Sequence, residues 1–212
     1  MEEALELPIL RIIGQVADEL NLKAWVVGGF VRDLMLKREN KDIDIVTVGS
    51  GVLFAEAVAK RLSEEHSLVV FRNFGTAQLK SEDYIIEFIG ARKESYRSNS
   101  RKPIVEDGSL EDDQNRRDFT INCMYLSLNS DNYGDLHDPF HGVQDLQNGI
   151  IKTCAEPNIT FSDDPLRMFR AIRFACRLDF RIETKTLEAL AANAQRIEIV
   201  SQVQNFPKLG QI

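Results

Sequence analysis

The stretch Trp25–Val46, "WVVGGFVRDLMLKRENKDIDIV", decides how this chain is read. An apolar run stops at the pair Gly28-Gly29. The sequence then resumes at helical spacing with Arg32 and Asp33, and closes on Asp42 and Asp44, one residue apart. A strand that ends on two glycines and leads into a helix presents backbone N–H groups at the positive helix end, where phosphate binds. Glycine also lets a ligand approach the backbone closely. Arg32, one turn in, offers a planar fork for a triphosphate. Taken alone, the pair reads equally well as a plain strand-to-helix turn with a surface arginine, since it is neither a P-loop nor a dinucleotide fingerprint.

Asp42 and Asp44 stand at i and i+2 of "KDIDIVTV", whose alternation predicts a half-buried strand, so both carboxylates share one face. Adjacent carboxylates repel unless a cation lies between them, and oxygen-rich sites of this kind suit Mg²⁺. Alternation alone also produces an Asp-x-Asp on a solvent-facing strand edge. The order of features carries more information than any one of them. A phosphate-binding turn followed by a paired-carboxylate strand supplies both halves of a metal-dependent nucleotidyl-transfer site. Glu87 is the candidate third carboxylate, because it stands alone in the apolar "DYIIEFIGAR", where a charge needs a reason. Its alternative is an outward-facing residue of an amphipathic strand. Asp83 sits in the adjoining turn and is the weaker candidate.

The 212 residues are 43% hydrophobic and 28% charged, a composition that suits a globular protein of one or two domains. The net charge of −7 argues against a purely electrostatic nucleic-acid binder, yet allows positive charge concentrated in one place. No apolar run approaches the roughly 20 residues of a membrane span, and the acidic, Pro-containing N-terminus does not resemble a secretory signal. Three cysteines without a CxxC pair point away from a disulfide framework or zinc site and toward a reducing cytoplasm.

Helical spacing covers residues 4–20, "FVRDLML" and "VLFAEAVAKRLSEE"; "NLKAWVV" reads as a short buried strand. "SLVVFRNFGTAQLK" and "DYIIEFIGAR" read as two strands joined by the turn-prone "SED". Lys93–Gln114, dense in both charge signs, reads as a long mobile loop. "GDLHDPFHGVQDLQNGIIKTC" reads as a strand and turn segment closing a mixed α+β domain over residues 1–150. From Ser162 the pattern is almost wholly helical, with Ser162 or Asp163 as N-cap and Pro165 in the first turn. A helical domain over residues 151–212 follows from this.

Within "SDDPLRMFRAIRFACR", Asp164, Arg167, Arg170 and Arg173 recur every three residues and Arg177 follows. On a helix the four arginines fall within an arc of roughly 120°, a basic stripe that suits an anionic partner; a solvated face is its ordinary alternative. Carboxylate only accepts and guanidinium only donates, so Asp164 beside Arg167 matches a base edge with an amino donor next to a ring-nitrogen acceptor. Adenine and cytosine present that edge; guanine and uracil do not, and would leave buried polar groups unpaired. An i, i+3 surface ion pair is the bland alternative. In "RRDFTINCM", Arg117 can reach a phosphate or ribose with Asp118 orienting it, or the run is a charged loop end; Phe119, Ile121 and Met124 read as core.

"GGFVRD…DIDI", "RRDFTINCM", "DPFHGVQDL" and "DDPLRMFRAIRFA" together resemble the successive motifs of class II tRNA nucleotidyltransferases (CCA-adding enzymes) and the related bacterial poly(A) polymerases, from about Ala24 to Arg181. The resemblance implies a polymerase β-like head with a small mixed sheet, followed by an α-helical neck. It implies Asp42, Asp44 and Glu87 as catalytic carboxylates holding Mg²⁺, with Gly28, Gly29 and Arg32 on the triphosphate. Arg117 would contact the incoming nucleotide, Asp164 and Arg167 would read its base, and Arg170 and Arg173 would contact the nucleotide or its phosphates. The implied partners are ATP, CTP and the tRNA 3′ end, and the implied reaction adds C and A residues there. A poly(A) polymerase or a partial CC- or A-adding enzyme is the alternative within the family, and a non-catalytic nucleotide- or RNA-binding module is the alternative outside it. Two departures stand out: Asp163-Asp164 replaces the usual Glu-Asp, and after "RIEIVSQ" the chain runs to "VQNFPKLGQI" in place of a continuing helix, which implies a truncated neck without body and tail.

Overall fold

A computed structural model describes residues 5–62, 66–97 and 100–199. It opens with helix α1 (Pro8–Glu19), which starts on a proline and buries Leu10, Ile13, Val16 and Ala17. Strand β1 (Ala24–Val27) leads through Gly28 into α2 (Gly29–Met35), then to β2 (Asp42–Thr47) and α3 (Gly51–Arg61), capped by the Ser50 side chain. Strands β3 (His66–Phe71), β4 (Thr76–Ser81) and β5 (Tyr84–Gly90) follow. "SLVVFRNFGTAQLK" is therefore two strands, because the 3₁₀ turn Arg72–Phe74 and left-handed Gly75 reverse the chain inside it. The "SED" turn stands as expected, with Ser81 facing Tyr84.

The main sheet runs β3-β4-β5-β2-β1, continued by β8 (Tyr125–Ser127) and β9 (Leu136–His137). Only β2 and β5 run parallel within it; the other neighbours are antiparallel, so the sheet is mixed as expected. One face is apolar along every strand: Val26, Ile43, Ile45, Leu79, Ile86 and Phe88 are buried in the core with α1 and α3. The other face carries the carboxylates.

Lys93–Gln114 is not the loop its polarity suggests. Strands β6 (Arg92–Arg97) and β7 (Ser100–Asp107) form a separate hairpin, and α4 (Leu110–Asn115) follows. Ser109 caps α4 in a reciprocal capping box with Asp112. "GDLHDPFHGVQDLQNGIIKTC" likewise contains a helix, α5 (Gly142–Gln147), between β9 and β10 (Ile150–Ile151).

The C-terminal helices are α6 (Pro157–Asp163), α7 (Leu166–Leu178) and α8 (Thr184–Ala192). Ser162 and Asp163 lie in α6 and cap nothing. The helix breaks at Asp164, which is extended at φ −133°, ψ 101° as the residue before proline prefers. Pro165 occupies the N-cap of α7, one residue earlier than expected. At the expected boundary near residue 150, β10 pairs in parallel with β11 (Arg181–Ile182), and the core runs on through Phe161, Met168, Ala171 and Phe174. Phe119, Ile121 and Met124 are buried as read. The departure after "RIEIVSQ", residues 203–212, lies outside the described residues, as do positions 63–65 at the end of "VLFAEAVAKRLSEE". Among the described residues no helix is long and apolar enough to cross a membrane.

Candidate active site

The parallel register of β2 and β5 aligns Asp44 with Glu87 and Asp42 with Ile85, so the three expected carboxylates share one sheet face. Burial, then the nearby charge of Asp42, pushes the Asp44 carboxyl up, although Arg117 and Arg170 pull against it. Glu87 is pushed up first by burial and then by Asp44. Two acids made harder to ionise by burial and by a neighbouring carboxylate form a donor set that a divalent cation would relieve. Among the described residues no three His, Cys, Asp or Glu side chains converge as a complete metal cage. Mg²⁺ needs none, because it commonly takes one or two carboxylates and fills its shell with substrate phosphate and water.

Gly28 closes this site from the β1 side. Its φ of 76° and ψ of −135° suit glycine, and a Cβ there would stand 3.1 Å from Asp44 Oδ2 and 3.7 Å from Arg117 Nη1. No side chain caps α2, so its first N–H groups stay available beside the carboxylate row. At Gly29 the nearest groups to a Cβ would be Arg32 Nη2 at 3.6 Å and Asn40 Nδ2 at 3.7 Å.

Arg32 is buried, donating to Asp33 through Nε at 2.8 Å and Nη2 at 2.9 Å, and to Asn122 through Nη1 at 2.8 Å. Three of its five N–H groups are thereby committed, and the guanidinium stacks 5.2 Å from the Phe174 ring. Arg170 and Arg173 approach the same ring at 5.2 and 5.3 Å. Phe174 thus gathers three of the predicted phosphate-contacting arginines, and its T-shaped contact with Phe119 ties α7 to the sheet domain. Burial, then Arg170 and Arg177, pushes the Arg173 guanidinium down, while Asp118 pulls the other way.

Asp118 does not orient Arg117. It accepts the Phe119 backbone N–H at 2.8 Å and the Arg170 Nε at 2.5 Å. Burial opposes its ionisation, but Arg170 holds the carboxyl below its usual range. Arg117 is oriented by Asp113 instead, through Nε at 3.0 Å, with its guanidinium 5.2 Å from the Tyr125 ring. Asp113 is fully buried and also accepts Arg116 Nε at 3.0 Å and the Tyr125 hydroxyl at 3.0 Å. Burial works against it, yet Arg117 and Arg116 keep its carboxyl low. This hub was hidden in the apparent loop; the Ser109-x-x-Asp112 capping signature, with Asp113 three and four residues before the arginines, would have revealed it.

Asp164 lies just before α7, where Oδ1 accepts the Leu166 N–H at 3.1 Å. Arg167 is buried, donates to the Arg116 carbonyl at 2.5 Å and faces the Tyr96 ring at 6.0 Å. A cavity of about 200 Å³ opens beside it, lined by Glu94, Tyr96, Asn115, Asp163 and Arg167 among others. Burial, then a hydrogen bond to Glu94, pushes the Tyr96 phenol up. The Arg116 carbonyl connects this group to Arg117, and Arg170 acts on both Asp118 and Asp44, so the predicted residues form one continuous constellation.

Residues 24–152 match the Poly A polymerase head domain. The chain is 42% identical over 199 residues to an A-adding tRNA nucleotidyltransferase of Geobacter sulfurreducens, covering 92% of this chain and 22% of that protein. The structure of a CCA-adding enzyme in an apo form superposes with a TM-score of 0.82 at 40% identity, over 92% of this chain and 45% of that one. A tRNA nucleotidyltransferase complexed with a primer tRNA and an incoming ATP analog superposes with a TM-score of 0.74 at 38% identity, over 86% of this chain and 50% of that one. The chain spans less than half the length of the curated relatives it matches, 48% in a CCA-adding enzyme of Lactobacillus helveticus.

Proposed function

We infer function from the premise that this chain belongs to the Poly A polymerase head-domain family and is the head region of a class II tRNA nucleotidyltransferase. Its reaction is template-independent transfer of C and A residues from CTP and ATP to the 3′ end of tRNA. The observation that carries this reading is the alignment of Asp44 with Glu87, closed off by the Gly28 turn beside Asp44.

Asp42, Asp44 and Glu87 are the residues that would hold Mg²⁺. Bound there, the ion would favour ionisation of the attacking 3′-hydroxyl and offset charge on the departing pyrophosphate. The turn at Gly28 and Gly29, with Arg32, receives the triphosphate. Arg117, held by Asp113, directs its free N–H groups toward the nucleotide. Asp164 and Arg167 accept and donate to the amino-bearing edge of adenine or cytosine, so one pair serves both substrates and rejects GTP and UTP.

The test is incubation with tRNA lacking its 3′ end and each labelled nucleoside triphosphate. Incorporation of both C and A is expected. A second reading, A addition alone, is favoured by the name of the relative at 42% identity; it wins if only A enters, and only on tRNA ending in CC. Incorporation of A into many unrelated RNAs would overturn both in favour of a poly(A) polymerase. If Asp42→Ala/Asp44→Ala and wild type are equally inactive yet bind ATP and CTP alike, the protein is a binding module.

A further inference from the structure

The face that carries the carboxylates continues beyond β5. Register runs one row from Asp44 through Glu87 and Gln78 to Val69, and the next from Val46 through Ile89 and Thr76 to Phe71. Strand β3 is an edge of the sheet, and Leu68 and Val70 on its other face pack against the core. Val69 is 49% exposed, Phe71 41%, and Phe74, in the turn that follows, 73%. Scattered exposed apolar residues are ordinary, but three large ones grouped on one strand and its turn mark an interaction surface. Arg72 and Lys80 beside them are exposed and form no ion pair among the described residues. Aromatic side chains interleaved with cations make a platform for single-stranded nucleic acid.

The site geometry says which strand of substrate this face meets. The triphosphate turn lies on the β1 side of Asp44, and Glu87 lies on the opposite side. In-line displacement places the attacking oxygen across the phosphorus from the departing pyrophosphate, so the primer approaches over β5, β4 and β3. At about 4.8 Å per strand, β3 stands about 10 Å from β5, and at about 3.4 Å per stacked nucleotide that distance spans the last few residues of an RNA end.

We propose that Val69, Phe71 and Phe74 form a stacking shelf for the unpaired 3′-terminal bases of the RNA primer, with Arg72 and Lys80 along its phosphates. This rests on the nucleotidyl-transfer reading above. Stacking suits an end whose terminal base changes with each addition, because every base presents a π face whatever its hydrogen-bonding edge.

The test uses the full chain and a short single-stranded RNA carrying 2-aminopurine at its penultimate position, followed by fluorescence and anisotropy, with ATP binding measured in parallel. Wild type should quench the 2-aminopurine. Phe71→Ala and Phe74→Ala should each weaken RNA binding by roughly 5-fold to 150-fold, the range for one lost base stack, and restore the fluorescence. ATP affinity should not move, and Phe74→Trp should keep the RNA bound. ATP binding with RNA affinity unchanged by either alanine would overturn the shelf alone, and so would a wild type that self-associates through this face while RNA binding is insensitive. Binding of neither ATP nor RNA would overturn the shelf together with the reading beneath it.

Discussion

Asp113→Asn is the substitution with the largest expected consequence for its size. The native carboxylate is fully buried and accepts from Arg116, Arg117 and Tyr125 at once. Asparagine keeps the volume but removes the charge and turns an amide N–H₂ toward guanidinium donors. Removing one partner of a buried ion pair costs about 3–5 kcal/mol, because the other charge remains without compensation. For a chain of this length that lowers Tm by roughly 6–20 °C. Thermal and urea unfolding at pH 7 measure it. Acid supplies an independent check. The two arginines hold the folded carboxyl below its ordinary value near 3.8 in spite of burial. Its stabilisation is therefore complete above the unfolded pKa of about 3.9 and disappears as pH falls through the lower folded value. The Tm gap between wild type and Asp113→Asn should narrow below about pH 4. A cost under about 1 kcal/mol at pH 7, or a gap of equal size at pH 7 and pH 3, would refute the hub.

Asp44→Asn should reduce transfer to background while raising Tm in Mg²⁺-free buffer. The Asp44 carboxyl is pushed up by burial and Asp42, so its ionised form costs stability above the folded pKa; the gain from asparagine should shrink as pH falls and when Mg²⁺ is added to both proteins. Gly28→Ala should cost about 1–3 kcal/mol in urea unfolding, because φ is 76° and the new Cβ meets Asp44 Oδ2 at 3.1 Å. Gly29→Ala, whose Cβ would find its nearest neighbour at 3.6 Å, should be close to neutral by the same assay. Asp118→Asn should cost about 1.5–3 kcal/mol through the lost charge-assisted bond to Arg170 and should weaken ATP binding in calorimetry.

The parts of the fold visible in the sequence are those written in local period. The alternation of "KDIDIV" announces β2 and puts Asp42 and Asp44 on one face, and the apolar "DYIIEFIG" announces β5. What period cannot carry is pairing between distant segments. Nothing local says that β2 and β5 run in parallel, or that Asn122 meets Arg32 ninety residues away. The hairpin β6–β7 escaped because its polar residues lack the apolar alternation that marks a strand, although the two strands pair with each other across one register shift between Ser95 and Arg97. The misplaced start of α7 has a different cause. Asp163 and Pro165 are both credible near a helix start, and only the extended backbone of Asp164 shows that one helix ends there before the next begins.

In a chain with a net charge of −7, the acids around this site position its arginines more than they neutralise them. Asp33 holds Arg32, Asp113 holds Arg117 and Asp118 holds Arg170, each through the Nε edge of the guanidinium. The opposite edge of each planar fork is left with N–H groups, and the side-chain entropy that phosphate binding would otherwise cost is already lost in the folded protein. Burial first, and then Arg170 and Arg177, lowers the Arg173 guanidinium where α7 meets the sheet domain, while Asp118 pulls the other way. Lysine reproduces the charge but not the fork: its single ammonium cannot hold an aspartate on one edge and a phosphate on the other. Arg170→Lys should therefore retain most of the fold's stability yet weaken ATP binding nearly as much as Arg170→Ala, and full affinity in the lysine variant would show that charge alone suffices.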